Sequence, residues 1–343
     1  MDTPNTKLRL AVIAVAVALP AAFFAYSAGW LSPARLTPAK LVDQLQANGG
    51  NNMGERRNHT KGLCVSGYFE GNGQGTAVSS ATAFTQGRYP VSGRFSLPGG
   101  NPHGNDAAAT PRSLSLKIDG GAGQQWRMAM LSSPVFVLSQ PQDFYQLLKL
   151  QQPDPATGKP DGAKIGAFFK AHPESAPFLN WAKNHKRSDS FASTPFNSLN
   201  AFAATNADGE RRFVRWSFLP QAPFAAQPAG AGPDFLFTDL QKRLEEGPVS
   251  WQLQLQLANP GDPVTDATKA WPADRQHIDV GTLVLTQAEP GSSGACRDIN
   301  FDPTILPAGL SPSADPLLPA RSAVYSDDFT RRIGEQAKLE DKS

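Results

Sequence analysis

The chain has 343 residues, 40% of them hydrophobic, and a formal net charge of only +2. That length allows one large domain or two ordinary ones with a substantial core, and the missing polybasic excess argues against nucleic acid as a partner. Thirty Gly, thirty Pro and twenty Phe against five Tyr predict many turns between apolar strands and an aromatic core, more than a helical bundle needs.

Leu10 to Leu31 carries no charge, and as a helix it extends about 33 Å, enough to cross a bilayer. Lys7 and Arg9 stand just before it. The run is longer than a usual secretory core and no small-x-small site follows, so residues 1–31 are expected to be an uncleaved anchor, with a cleaved secreted form as the alternative. Arg35 and Lys40 balance the basic residues on the other side, so the positive-inside rule barely discriminates. A basic tail followed by an apolar run is how export signals are built; the rest of the chain is therefore expected outside the cytoplasm, in the periplasm if the source is bacterial.

Residues 32–52 read as a linker with a short helix, since Leu41, Val42 and Leu45 recur at helical spacing after Pro38 and Gly49-Gly50-Asn51-Asn52 ends the run. Residues 53–343 read as one domain. Its first part predicts strands at Leu63 to Phe69, Val91 to Leu97, Ser113 to Ile118 and Gln125 to Met130. The apolar period then lengthens to three and four residues at Gln142 to Leu150, Ala163 to Ala171 and Ala176 to Asn184, which predicts a helical insertion. Strands return at Phe202 to Thr205 and Arg212 to Phe218 around the turn Asn206-Ala207-Asp208-Gly209. A helix at Asp234 to Leu244 and strands at Trp251 to Leu257 and Thr282 to Leu285 follow. Pro-rich residues 302–320 predict a long irregular connection, and the segment from Tyr325 to Leu339 is polar and helical. Cys64 and Cys296 allow one disulfide at most. Cys64 is expected to pack as a small apolar residue in its strand, with no bridge. A zinc site is poorly supported, because the histidines are scattered and neither cysteine has a second one nearby.

Arg56-Arg57-Asn58-His59-Thr60-Lys61-Gly62, running into Leu63-Cys64-Val65-Ser66-Gly67-Tyr68-Phe69-Glu70, resembles the distal-histidine strand of the heme catalases. Further matches follow in the same order. Gly93-Arg94-Phe95-Ser96 is similar to the Arg-Phe-Ser strand, and Pro111-Arg112-Ser113-Leu114-Ser115-Leu116-Lys117 to a strand reading Pro-Arg-Gly-Phe-Ala-Val-Lys. Pro134-Val135-Phe136 with Phe144 fits the segment that ends on the heme face, and Ile299-Asn300-Phe301-Asp302-Pro303 leads to Arg321 and Tyr325. The resemblance spans about residues 53–334 and points to a short, catalase-related peroxidase branch. It implies an α+β fold: a catalase-like antiparallel β-barrel with inserted and C-terminal helices, here behind one N-terminal transmembrane helix.

It also implies heme b as cofactor. His59 would be the acid/base that moves a proton between the peroxide oxygens, and Ser96 would hydrogen-bond the far imidazole nitrogen. Tyr325 would ligate the iron through its oxygen, with Arg321 one helical turn away favouring the phenolate. Arg56, Arg94 and Arg332, or Arg331 after a one-residue shift, match the positions that hold the heme propionates. Phe144 would pack on the heme.

The departures are informative too. Met130-Leu131-Ser132-Ser133-Pro134 stands where catalases read Gly-Asn-Asn-Thr-Pro, placing Leu131 at the distal asparagine; Ser132 substitutes if the alignment slips by one. Trp216-Ser217-Phe218-Leu219 replaces the basic residues used by nicotinamide-binding catalases, so no such nucleotide is expected. Neither the long N-terminal arm, which supplies tetramer contacts, nor a flavodoxin-like extension is expected, and the oligomeric state stays open. Without Cys-x-x-Cys-His, the usual c-type attachment is not expected. The leading expectation is a peroxidase acting on hydrogen peroxide or organic hydroperoxides with a small organic reductant and weak or no catalase activity. The alternatives are lipid hydroperoxide rearrangement and a non-catalytic heme-binding barrel.

Overall fold

The structure is a computed structural model that describes residues 4–27, 32 and 35–341. Helix α1 (Pro4–Ser27) carries no charged residue from Leu10 on, and its Thr6–Ser27 stretch is long and apolar enough to cross a membrane. Leu10, Ile13, Val17 and Phe23 on it are all exposed, and such a helix has no polar face to turn to water. Residues 28–31, the end of the expected span, lie outside the described residues, as do 1–3, 33, 34, 342 and 343. Helix α2 (Pro38–Gly49) begins with Pro38 in its first turn and Thr37 accepting from the Lys40 amide at 3.3 Å, so one orphan donor of the helix start is satisfied.

The core is a closed antiparallel barrel. In chain order the strands are β1 (Gly62–Gly71), β2 (Gly87–Ser96), β3 (Ser113–Asp119), β4 (Gln125–Leu131), β5 (Phe196–Asn197), β6 (Phe202–Thr205), β7 (Arg211–Pro220), β8 (Val249–Leu257), β9 (His277–Pro290) and β10 (Leu310–Pro312). The pairing runs β1-β2-β3-β4-β5-β7-β8-β9 and returns to β1, a ring of eight, while β6 pairs with the first half of β7 and carries β10. Closure removes the open edges that an exposed sheet presents.

Alternation fills the barrel. In β8, Trp251, Leu253, Leu255 and Leu257 are buried, and the glutamines between them face outward. Phe69, Phe95, Phe196, Phe202, Phe218, Trp126 and Trp216 complete an aromatic interior, with Trp126 edge-on to Trp216 at 5.0 Å. Each such side chain stabilises the fold by roughly 1.5–3 kcal/mol through burial alone.

Between β4 and β5 the chain forms α3 (Pro141–Leu150), α4 (Gly162–Ala171) and α5 (Ala176–Asn184), whose own small core contains Val137, Leu138, Leu147 and Phe168. Helix α6 (Phe235–Glu246) turns Leu236, Phe237, Leu240 and Leu244 into the main core, and α7 (Leu317–Glu340) packs on α2.

Three expectations change. β9 extends well beyond Thr282 to Leu285 at both ends, because bulges at Ser66/Gly67 and Leu253/Gln254 let it bend and pair with β1 and β8 at once; its polar outward ends hid that length. The 302–320 connection is shorter and contains β10, since α7 starts at Leu317 with Pro319 in its first turn, where proline's missing N–H costs no helical bond. Cys64 and Cys296 are joined in a disulfide with Cα atoms 5.3 Å apart. Pairing of β1 with β9 sets Glu289 opposite Cys64, and the turn after β9 folds back onto the same strand. No local spacing shows that return.

Candidate active site

A large, mostly apolar cavity lies between one end of the barrel and helices α2, α3 and α7, with His59, Arg56, Leu131, Phe144, Arg321 and Tyr325 in its wall. His59 precedes β1 with φ at 59°, an uncommon backbone conformation for a residue with a Cβ. Three contacts hold it there. Its amide donates to Asn58 Oδ1 at 3.0 Å, its carbonyl accepts from Arg94 Nη1 at 2.6 Å, and its Nδ1 lies 3.0 Å from Ser113 Oγ.

Ser113 thus takes the contact expected of Ser96. The two serines are cross-strand partners in the β2–β3 ladder, and both line the cavity. Ser113 stands where the resembling strand has glycine, so its side chain brings an added hydroxyl to the ring, and that serine-for-glycine departure was the available signal. Ser113→Ala is expected to slow the peroxide reaction by about 3- to 10-fold, the worth of one hydrogen bond, and Ser96→Ala by less. Stopped-flow absorbance on the two variants checks the order.

Burial pushes the imidazole of His59 down to about 3, with Arg94, Arg321 and Arg56 adding repulsion against a proton and the Leu97 carbonyl opposing them. The ring is therefore neutral near pH 7. In the tautomer that carries its proton on Nδ1, that nitrogen donates to Ser113 and Nε2 holds the lone pair able to accept a proton.

Arg56, Arg94 and Arg332 converge beside the cavity around a smaller recess. Arg94 donates to the His59 and Thr60 carbonyls, and Gly62 makes room for it, since a Cβ there would fall 2.2 Å from its guanidinium carbon. Burial and then Arg332 lower Arg56 to about 10, and burial and then Arg56 lower Arg94 to about 9. Arg332 is lowered as well, chiefly by burial. Buried N–H groups are nevertheless left without acceptors: Arg94 Nε, Arg332 Nε and Arg332 Nη2. Orphaned cationic donors beside a cavity fit a carboxylate-bearing ligand. Arg331, by contrast, pairs with Asp43 and Asp327 at the surface, so the register of α7 turns Arg332 inward.

On α7, Arg321 Cζ lies 6.0 Å from the Tyr325 ring centre. Arg321 donates to Asn200 Oδ1 at 2.7 Å and to the Ala129 carbonyl at 2.9 Å, and Asn200 donates in turn to Asp315 at 2.8 Å. Asn200 and Asp315 escaped the sequence reading because Asn200 joins Asp315 and Arg321 from more than 100 residues away. Phe144 stands in the wall on α3, 5.5 Å from Phe136 ring to ring.

Leu131 ends β4 directly opposite Ser113, which brings its isobutyl group close to the His59 contact. Ser132 is not among the residues of the cavity wall, and its hydroxyl accepts from the Arg112 amide at 3.0 Å. The Asn197 amide is also occupied, spanning the carbonyls of Leu131, Ser132 and Ser133.

The family model described as Catalase matches residues 19–339. The chain is 38% identical over 305 residues to a catalase-related peroxidase of Synechococcus elongatus, covering 87% of this chain and 89% of that one. It is 31% identical over 304 residues to a catalase-related peroxidase of Mycolicibacterium paratuberculosis, covering 87% and 96%. Among solved structures, a fungal catalase superposes with a TM-score of 0.73 at 24% identity and a bacterial catalase with 0.74 at 22%, each over 82% of this chain. These likenesses concern the fold, and the chain spans only 60% and 58% of those two proteins. The chain belongs to the catalase family.

Proposed function

We propose that this protein is a heme-dependent peroxidase that reduces hydrogen peroxide or organic hydroperoxides at the expense of a small organic donor, with little dismutation of hydrogen peroxide. The observation that carries this reading is the neutral imidazole of His59, held by Ser113 in the wall of the same cavity as Arg321 and Tyr325. Heme would be held by Arg56, Arg94 and Arg332 at its carboxylates, by Phe144 against its face and by the Tyr325 oxygen at iron. The bound group supplies an iron centre able to take two oxidising equivalents from a peroxide.

The protein supplies proton chemistry and shape. His59 would take the proton from one peroxide oxygen and return it to the other, so that the leaving group would depart as water or an alcohol. A heme of the b type fits the cysteine inventory, because both cysteines are spent on one disulfide.

That disulfide also supports an oxidising compartment. With the apolar α1, it favours a membrane-anchored protein whose catalytic domain faces away from the cytoplasm. A second reading, rearrangement of lipid hydroperoxides, is favoured by the apolar Leu131 beside the acid/base and by the membrane-grade helix. Product analysis with fatty-acid hydroperoxides, with and without a donor, separates the two.

The experiment that tests the peroxidase reading uses Leu131. An isobutyl group cannot orient a second hydrogen peroxide for oxidation, so the wild type is expected to oxidise phenolic donors faster than it evolves oxygen. Leu131→Asn restores an amide beside His59 and is expected to move the ratio toward oxygen by about 10-fold, the worth of one well-placed hydrogen bond. Oxygen-electrode and donor-oxidation rates on the same heme-normalised samples give the ratio. Oxygen evolution already dominant in the wild type would refute the assignment.

A further inference from the structure

The two cysteines lie behind the cationic end of the site, in a small core with Phe301. Cys64 lies directly across the β1–β2 ladder from Arg94. Its sulfur is bonded to Cys296 in the turn after β9, and both residues are almost wholly buried, at 2% and 1% exposure. The carbonyls of Cys296, Arg297 and Ile299 all accept from Arg56 Nη2, at 3.2, 3.1 and 3.1 Å. The Arg297 carbonyl also accepts from Arg332 Nη1 at 2.7 Å. One covalent bond therefore links the strand position facing Arg94 to the turn that aims Arg56 and Arg332.

Apart from that bond and the two arginines, the turn is held by short-range backbone bonds, by the Glu289 carboxylate accepting from the Ala295 amide at 2.9 Å and by Arg127 donating to the Asn300 carbonyl at 2.6 Å, none of which reaches β1. Residues 291–300 form neither helix nor strand, and they lie so close to β1 that a Cβ on Gly291 would fall 2.2 Å from the Gly62 carbonyl oxygen and one on Gly294 2.8 Å from Cys64 Cβ. The three guanidinium groups repel one another, which favours an outward swing of the arginines and of the turn that binds them. A cross-link between residues 232 apart in sequence restricts the alternative, detached arrangements of the turn.

We propose that Cys64 and Cys296 are positioning residues for the carboxylate edge of the cofactor: their disulfide holds the 291–300 turn so that Arg56 and Arg332 point into the site. The inference rests on the heme reading above. Forming the bond removes two electrons and two protons from the two thiols, and a protein disulfide donor takes up both as it is reduced to a dithiol. Tight cofactor retention then follows oxidation of the cysteines, which orders maturation after arrival in an oxidising compartment.

The test is the rate of heme loss from the detergent-solubilised full chain to excess apomyoglobin. Four proteins are compared: wild type, Cys64→Ala/Cys296→Ala, Arg56→Ala, and the triple variant. Loss from the cysteine-free protein is expected to be about 10-fold faster or more, the scale of one charge-assisted hydrogen bond. In that background Arg56→Ala is expected to add less than about 2-fold, because an arginine no longer aimed has little left to lose. A general brace on the fold would instead give accelerations that multiply, and multiplication, or heme loss in the cysteine-free protein within 2-fold of wild type, overturns the proposal.

Hydrogen exchange of the heme-free proteins is the second readout. Amides of residues 291–300 are expected to lose protection without the disulfide while β1 to β4 keep theirs; equal protection of the turn refutes the clamp. Should the cysteine-free protein fail to fold, wild type reduced with a phosphine and verified by thiol titration takes its place. A wild type that takes up no heme sinks the reading of the site, and the exchange comparison then decides the clamp alone.

Discussion

His59→Ala is expected to slow the reaction with peroxide by about 10² to 10⁴-fold, the usual worth of a positioned acid/base, while heme is still bound. The argument is local. The imidazole sits in a backbone conformation with φ at 59° and is fixed at its amide, its carbonyl and its Nδ1, an arrangement that core filling does not require. The expected pH dependence is equally specific. Burial and three arginines hold the ring near 3, so the wild-type rate should stay level from about pH 8 down to about pH 5 and fall only in stronger acid. A histidine at its ordinary value would lose half its base form near pH 6.5.

Stability follows the same sign. Below about pH 6.5 the unfolded chain protonates this histidine and the native state does not until about 3, so the unfolded state binds more protons and stability falls as pH drops through that window. His59→Ala removes that liability and should soften acid unfolding. Stopped-flow rates across pH, with circular dichroism during acid titration, measure both effects. A variant with wild-type peroxide kinetics would assign the proton transfer elsewhere.

What the sequence made legible, and what it concealed, divides along physical lines. Strand β8 announces itself because its burial is one-sided and its residues alternate, and α3, α4 and α5 because their apolar spacing is regular. β5, with two residues, and the ends of β9 have no such pattern, because their pairing depends on neighbours far away in the chain. The same holds for the site. His59 and Arg56 fall within one short motif, and Arg321 and Tyr325 lie one helical turn apart. The choice of Ser113 over Ser96 depends on which of two facing hydroxyls reaches the ring, and the Cys64–Cys296 bond on how β9 returns to β1. Pairwise contacts between distant segments are decided by packing, which local spacing does not encode.

Tyr325→Phe is expected to abolish most heme retention, or to leave a ferric spectrum without its tyrosinate charge-transfer band, because it deletes the phenol oxygen of a residue in the cavity wall beside Arg321. The substitution is nearly isosteric, so the loss reports on the oxygen alone. The competing donor is Asp328, three residues further along the same helix and also in the cavity wall. Burial raises the pKa of its carboxyl, and that carboxyl already accepts from the Arg57 amide at 3.1 Å. It is thus committed to bracing the segment before His59. Asp328→Asn should keep the ferric spectrum and cost mainly stability, while Arg321→Leu should keep the phenol and shift the spectrum by withdrawing its positive neighbour. Heme content by pyridine hemochrome and the visible spectrum of each variant give the comparison. An unchanged spectrum in Tyr325→Phe together with a lost one in Asp328→Asn would move the ligand to the carboxylate.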